Sequence, residues 1–188
     1  MAISAQKNKI HVAIATWEWG SYFDPKLKLN GIKLNISSWR RPAPNTIPWD
    51  TKAAGLYMIC TLSKHEAERQ GYSESLMLDH EGNVAESTSA NVFFKDNKGE
   101  LHTPIPDCFL DGITRRTVID IAKSKNIKVH ERKISPEELP NFAGCFLTGT
   151  AAEITPVSKI AENNYKVCDL IIDLSSSYGK LVRKKKAA

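Results

Sequence analysis

The sequence lacks any long uninterrupted hydrophobic run, and this absence excludes a simple membrane-spanning architecture. Its longest apolar stretches, such as residues 170–172, fall far short of the roughly 20 residues that a spanning helix needs. The first residues, 1–6, also lack the hydrophobic region of a secretory signal. We therefore expect a cytoplasmic protein with no membrane partner.

Cysteine is scarce, and the four cysteines are widely spaced without a C-x-x-C pair: Cys60, Cys108, Cys145 and Cys168. Neither a zinc motif nor a redox motif is indicated, so we expect reduced, mostly buried thiols and no metal. The net charge is +5, but much of it comes from the basic run at residues 183–186. A basic run at a helix end is favoured by the helix dipole, so we expect no nucleic-acid partner.

Short stretches of alternating apolar residues predict β-strands at residues 11–16 and 32–36. Two turn sequences, 79–83 and 95–99, separate apolar segments and predict antiparallel hairpins. Further strands are predicted at 127–130 and 145–147. The middle of the chain is therefore expected to be antiparallel sheet.

Three segments have the composition and spacing of helices: about 50–70, the residues after Gly112, and about 168–184. Between the first strands and the first helix, three prolines in residues 40–48 exclude regular structure. The sequence from Ser135 has the spacing of a capping box with proline at the first helical position. We find neither an internal repeat nor an interdomain linker, so residues 1–188 are expected to form one α+β domain.

Three features are candidates for catalysis or ligand binding, although each is also compatible with an ordinary surface residue, cap or turn. Lys52 follows the proline loop at the predicted helix start, where the positive helix end and partial burial disfavour its ammonium form. Glu86 lies just past a hairpin among small hydroxylated residues. Residues 112–114 and 148–152 can direct backbone amides and hydroxyls at an anion. Together they meet the needs of a cofactor with an aldehyde, a pyridine nitrogen and a phosphate.

Four motifs, in this order, resemble those of branched-chain aminotransferases, which are fold-type IV pyridoxal-phosphate enzymes. They are SSWRRPAPNTIP at 37–48, KAAGLY at 52–57, LDGITR at 110–115 and TGTAAEI at 148–154. Glu86 stands 34 residues after Lys52, as the family leads us to expect. The resemblance covers about residues 1 to 158. It implies the family's large domain, a mainly antiparallel, barrel-like sheet with flanking helices.

The resemblance also implies pyridoxal 5'-phosphate as cofactor and assigns roles to individual residues. Lys52 would be the Schiff-base lysine and proton shuttle, Tyr57 would hydrogen-bond the ring's phenolic oxygen, and Glu86 would accept the pyridinium proton. The other implied contacts are Leu110 on the ring, Ile113, Thr114, Gly149 and Thr150 at the phosphate, and Thr150, Ala151 and Ala152 at the substrate carboxylate. The implied reaction transfers amino groups between leucine, isoleucine or valine and 2-oxoglutarate, in a homodimer or larger homo-oligomer.

Two departures from the family pattern leave alternatives open. Ser87 stands where the family usually has glycine or another small residue, and Ser89 where it usually has glycine. Both serines are small, so we expect adjustment rather than loss. The family's smaller N-terminal domain has no counterpart, so Met1 is expected to be an internal methionine of a longer protein, and 159–188 a terminal helix with a basic tail. A D-amino-acid aminotransferase, an aminodeoxychorismate lyase and a non-catalytic remnant that binds the cofactor remain alternatives.

Overall fold

The structure is a computed structural model that describes residues 3–183. The strands are β1 (Ile32–Arg40), β2 (Glu74–Leu78), β3 (Val84–Ser87), β4 (Asn91–Lys95), β5 (Leu101–Thr103), β6 (Val129–Glu131), β7 (Gly144–Gly149), β8 (Glu153–Ile160) and β9 (Asn163–Asn164). The helices are α1 (Pro25–Asn30), α2 (Met58–Arg69), α3 (Ile113–Ser124) and α4 (Asp169–Val182), with 3-10 helices at Ala54–Tyr57 and Pro136–Asn141. No helix within residues 3–183 combines the length and apolarity needed to cross a membrane. The predicted basic tail beyond Arg183 lies outside the described residues.

The strands form one mixed, curled sheet in the order β3-β2-β1-β8-β7-β4-β5-β6, with β9 paired to β8. Five of the eight strand pairings within residues 3–183 are antiparallel, including the two predicted hairpins, β2–β3 and β4–β5. Parallel strands need a long connection, and α2 provides one between β1 and its parallel neighbour β2. The predicted α+β class with a mainly antiparallel sheet is confirmed.

Two hydrophobic clusters pack against opposite faces of the sheet, because its central strands alternate between them. On β7, Cys145 and Leu147 belong to one cluster, while Phe146 belongs to the other and stacks on Phe93 at 5.1 Å between ring centroids. Helices α3 and α4 cover this second face through residues such as Val118. Strands buried on both faces are apolar throughout, which explains the continuous apolar run at 145–147.

The predicted strand at residues 11–16 is wrong. Residues 9–20 have no regular secondary structure, and Ile10, Val12 and Ile14 are 86–93% exposed. An extended segment becomes a strand only when a neighbouring strand accepts its backbone hydrogen bonds, and none of the strands described between residues 3 and 183 pairs with it. The alternation of apolar residues therefore shows which side chains share a face, but it does not provide the partner strand that pairing requires.

The first helix begins later than predicted. The 3-10 helix starts at Ala54 and α2 at Met58, so Lys52 precedes the helix rather than standing in its first turn. Local turn bonds hold the preceding residues: the amide and hydroxyl of Thr51 both donate to the carbonyl of Pro48. The regular hydrogen bonds of the helix therefore begin only after Thr51.

Candidate active site

A cavity of about 640 Å³ opens beside the sheet, where the end of β3, the start of β4 and the end of β7 meet the start of α3. Segments distant in the sequence form its wall. The predicted site residues that line it are Lys52, Tyr57, Glu86, Leu110, Ile113, Thr114, Gly149, Thr150 and Ala151. The volume falls within the 300–1,000 Å³ range typical of small-molecule sites.

Glu86 is the most perturbed acid in the cavity. It lies on β3 with only 13% of its side chain exposed, and Nε of Arg41 is 3.6 Å from its Oε1. Asn91 donates from Nδ2 to Oε2 at 3.3 Å. Burial raises the pKa of Glu86 to about 8, although the positive charges of Arg41 and Lys52 oppose that rise. The carboxyl therefore holds its proton near neutral pH unless a further cation approaches.

Hydrogen bonds hold the guanidinium of Arg41 next to Glu86. Arg41 is only 4% exposed. Its Nε donates to the carbonyl of Cys108 at 3.3 Å, and a terminal guanidinium nitrogen donates to Sγ of Cys60 at 3.4 Å. The Arg41 backbone amide also donates to the carbonyl of Leu78 at 2.8 Å. A buried guanidinium must be held by such partners, and here they keep the cation next to the carboxyl.

Lys52 contributes an exposed amine to the cavity wall. Its Nζ lies 5.7 Å from the centroid of the Tyr57 ring, within the range of a cation–π contact. The predicted partial burial of Lys52 is wrong, because the residue precedes the helix and is exposed to solvent. An accessible amine next to a buried acid is an arrangement suited to nucleophilic chemistry.

The start of α3 forms one side of an anion cradle. Asn91 organises the entry to this helix: its Oδ1 accepts from the amide of Gly112 at 3.2 Å, and its Nδ2 donates to the carbonyl of Leu110 at 2.9 Å. A Cβ at Gly112 would collide with Oδ1 of Asn91, so this approach requires glycine. Thr114 is buried in the first turn and is hydrogen-bonded to the hydroxyl of Tyr178 at 3.3 Å. A helix N-terminus of this kind favours a negatively charged ligand.

The end of β7 forms the opposite side of the cradle. Thr148 lines the cavity there, and its Oγ1 is the single buried side-chain N or O atom between residues 3 and 183 that lacks a hydrogen-bond partner. Buried hydroxyls normally have a partner. The wall therefore offers a polar atom that a ligand in the cavity can satisfy.

A fully buried cation supports the loop that leads into the cradle. Arg115 is 1% exposed and donates to the carbonyl of Pro104 at 3.0 Å and to the carboxylates of Asp111 and Glu131, both at 2.8 Å. It also donates to the hydroxyl of Thr103 at 3.4 Å. These bonds tie the 104–111 loop to β5 and β6 and so fix where α3 begins.

Residues 2–160 match the family described as amino-transferase class IV. The chain belongs to this family. A probable branched-chain-amino-acid aminotransferase of Rickettsia bellii (strain RML369-C) is 42% identical over 167 residues, which are 85% of this chain and 56% of that protein. The chain thus spans about half the length of the curated relatives it matches.

Two solved structures resemble the fold closely. The branched-chain aminotransferase of the archaeon Thermoproteus uzoniensis, solved with norvaline, superposes with a TM-score of 0.85 and 36% identity, covering 92% of this chain and 57% of that one. An aminotransferase from Brucella abortus, solved with the cofactor pyridoxal phosphate bound, gives a TM-score of 0.79 at 30% identity, covering 87% and 57%. At this identity and superposition, the fold-type IV architecture expected from the sequence is confirmed.

One predicted site residue of the class IV chain does not reach the cavity. Ala152 is 5% exposed and is absent from the cavity wall, and its carbonyl accepts from the hydroxyl of Thr155 at 2.7 Å. The two serine replacements are accommodated. Ser87 donates to the carbonyl of Ala90 at 2.9 Å, and Ser89 donates to Glu74 at 3.2 Å.

Sequence reasoning missed three residues that shape this class IV site: Trp19, Arg41 and Asn91 all line the cavity. Arg41 lies inside a motif that carries the family resemblance, and Asn91 follows Glu86 by five residues. Their positions were therefore within reach of the sequence. Their partners were not, because the contacts join segments as far apart as residues 41 and 108.

Proposed function

We propose that residues 1–188 are the cofactor-binding domain of a branched-chain-amino-acid aminotransferase that uses pyridoxal 5'-phosphate. Its substrates would be leucine, isoleucine or valine, with 2-oxoglutarate as amino acceptor. One observation carries the proposal: an accessible amine, a buried protonated carboxyl and an anion cradle share one cavity. The names of the relatives support the substrate class, and the group bound to the Brucella abortus aminotransferase supports the cofactor.

The cavity residues fit the functional groups of this cofactor. The unpartnered hydroxyl of Thr148 and the N-terminus of α3 suit a phosphate. Glu86 suits the pyridine nitrogen, because a neighbouring cation is what its buried carboxyl needs in order to ionise. We assign the phosphate to Ile113, Thr114, Gly149 and Thr150, with the hydroxyl of Thr148 as a further donor, and the ring face to Leu110.

When bound, pyridoxal phosphate supplies an aldehyde and an electron-withdrawing ring. Lys52 Nζ would be the amine that holds the aldehyde carbon, with the aldehyde oxygen leaving as water, and, once the substrate's amine has displaced it, the base that carries the substrate's α-proton. Glu86 would give its proton to the ring nitrogen and, as a carboxylate, accept the hydrogen bond of the protonated ring, which keeps the ring positively charged. Tyr57, whose ring already lies against Lys52, would donate to the phenolic oxygen.

The substrate carboxylate would lie against residues Thr150 and Ala151 on the cavity wall. Ala152 would act indirectly, since its side chain is buried behind that wall and its carbonyl is engaged by Thr155. Trp17 and Trp19 are exposed and stack on each other at 5.8 Å between ring centroids. Trp19 also lines the cavity, which would give an apolar substrate side chain a surface to contact.

We further propose that the protein acts in the cytoplasm as a homodimer or larger homo-oligomer. The support is the exposed apolar surface of Ile10, Val12 and Ile14, because large exposed apolar patches tend to be covered by association. Sedimentation analysis at micromolar concentration should give a species larger than a monomer. A stable monomer would contradict the oligomer without affecting the assignment of the site.

The site assignment is tested by borohydride reduction of the protein loaded with pyridoxal phosphate, followed by peptide mapping. We expect the label on Lys52 and its loss in Lys52→Arg. Lys123→Arg, which changes a lysine at the far end of α3, is the matched control and should leave the labelling unchanged. A label on another lysine with Lys52 unmodified would overturn the assignment.

Absorbance spectra separate the competing functions. An aminotransferase of branched-chain substrates should lose its visible cofactor band on addition of L-leucine and recover it on addition of 2-oxoglutarate. A band that responds to D-alanine instead would indicate a D-amino-acid aminotransferase. Release of pyruvate from aminodeoxychorismate would indicate a lyase, and a band that responds to no substrate would indicate a binding remnant.

A further inference from the structure

Three metal-ligand side chains lie at the end of the sheet, apart from the cavity wall: His102 on β5, His130 on β6 and Glu100 directly before β5. Because β5 and β6 pair in parallel with His102 opposite His130, the two imidazoles lie side by side. Their rings stack with centroids 4.6 Å apart and planes 13° from parallel. Glu100 precedes His102 by two residues, so its side chain emerges on the same face.

The ligand atoms of these three residues already converge. One nitrogen or oxygen from each of Glu100, His102 and His130 lies within 4.8 Å of the others, and Nε2 of His130 is 2.6 Å from Oε2 of Glu100. The side chains are half-buried, with 29%, 12% and 28% exposed respectively. Two ligands of one tetrahedral zinc ion are roughly 3.4 Å apart, given bond lengths of about 2.1 Å. Side-chain rotations that shorten the longest of these distances would give the spacing of coordinated ligands.

We propose that Glu100, His102 and His130 bind one divalent transition-metal ion, with water completing the coordination. Two imidazole nitrogens and one carboxylate oxygen form a ligand set that suits Zn²⁺, whereas Mg²⁺ and Ca²⁺ prefer oxygen alone. The ion would join β6, the last strand of the sheet order, to β5.

Arg132 competes with the ion. Its Nε donates to Nδ1 of His102 at 3.1 Å, which leaves the imidazole proton on Nε2, facing Asp96 at 3.4 Å. Coordination through Nε2 requires that proton to move to Nδ1 and Arg132 to turn aside. Arg132 retains Glu138, to which it donates twice at 3.0 and 2.7 Å, so its charge remains paired. Removing Arg132 should therefore strengthen metal binding, an effect opposite to that of removing a ligand.

Metal titration of the full chain tests the site. The protein is treated with EDTA, freed of chelator and titrated with Co²⁺, whose visible absorbance reports coordination, and Zn²⁺ is then added as competitor. We expect saturation at one ion per chain and a rise in melting temperature with Zn²⁺. His130→Gln and Glu100→Gln should each weaken Co²⁺ binding by roughly tenfold or more. Arg132→Gln should tighten it.

His65→Gln is the matched control, because His65 is an exposed histidine on α2. It should leave the titration unchanged, and circular dichroism should give the same spectrum for every variant. Wild-type protein that shows no saturable binding would overturn the proposal. Equal affinity in the wild type and His130→Gln would also overturn it, as would weaker binding in Arg132→Gln.

Discussion

Glu86 should make the cofactor-free protein less stable as the pH rises. Its pKa in the folded protein is about 8, against an ordinary value of 4.5, because burial disfavours the carboxylate. Between these two values the unfolded chain releases a proton that the folded chain retains. The contribution of Glu86 to stability is therefore fully present below about pH 4.5 and is lost as the pH rises towards 8.

The size of the effect follows from the same two values. At about 1.4 kcal/mol per pKa unit, ionising Glu86 in the folded protein costs roughly 5 kcal/mol. Glu86→Gln removes this cost but leaves one of two donors, Arg41 or Asn91, facing an amide N–H, at a cost of about 1–2 kcal/mol. We therefore expect Glu86→Gln to be more stable than the wild type by about 3 kcal/mol at pH 9. At pH 4.5 it should be slightly less stable.

Urea denaturation of cofactor-free protein, followed by circular dichroism from pH 4.5 to 9, measures this difference. Glu162→Gln is the matched control, because Glu162 is 93% exposed and should give a pH-independent difference near zero. A difference between wild type and Glu86→Gln that stays constant with pH would refute the reasoning. The carboxyl would then ionise in place without cost.

Three further substitutions test other parts of the structure by the same denaturation assay. Thr148→Val removes the unpartnered hydroxyl but keeps the shape of the side chain. It should stabilise the cofactor-free protein by about 1 kcal/mol and weaken its binding of pyridoxal phosphate. A loss of stability would contradict this. Arg115→Met leaves the carbonyl of Pro104 without its donor and removes the ion pairs with Asp111 and Glu131, whose side chains are 36% and 46% exposed, and should cost about 1–3 kcal/mol. Ser135→Ala removes the side chain of an observed capping box and should cost about 1 kcal/mol, whereas Ser124→Ala, at the end of α3, should cost less.

Local signals predicted the elements that depend on neighbouring residues alone. Both hairpins formed as expected, and each turn contains a glycine in the left-handed region, Gly82 at φ +97° and Gly99 at φ +86°. The capping box at Ser135 is present with both of its hydrogen bonds. The helix after Gly112 formed at Ile113–Ser124, as its spacing indicated; it buries Val118, Ile119 and Ala122, whereas Ile121 is half-buried.

Elements that depend on distant partners were missed or misplaced. Strand β8 was not predicted, because Pro156 interrupts the apolar pattern of its sequence. In the structure it pairs with β1 on one side and β7 on the other. The strand predicted at residues 11–16 failed for the opposite reason, since its alternation has no partner strand among residues 3–183. In both cases pairing decided the outcome, and pairing is a property of the whole chain.

The sequence by itself determined the turns, most helices, the class IV family and the residue types of the site. Those features rest on local backbone preferences and on motifs whose order along the chain can be read directly. Only the tertiary structure decided that Arg41 and Asn91 surround Glu86, and that His102 faces His130. A pKa is set by the solvent and charges around a group, and a metal site is set by the distances between its ligand side chains. Both therefore depend on contacts between residues far apart in sequence.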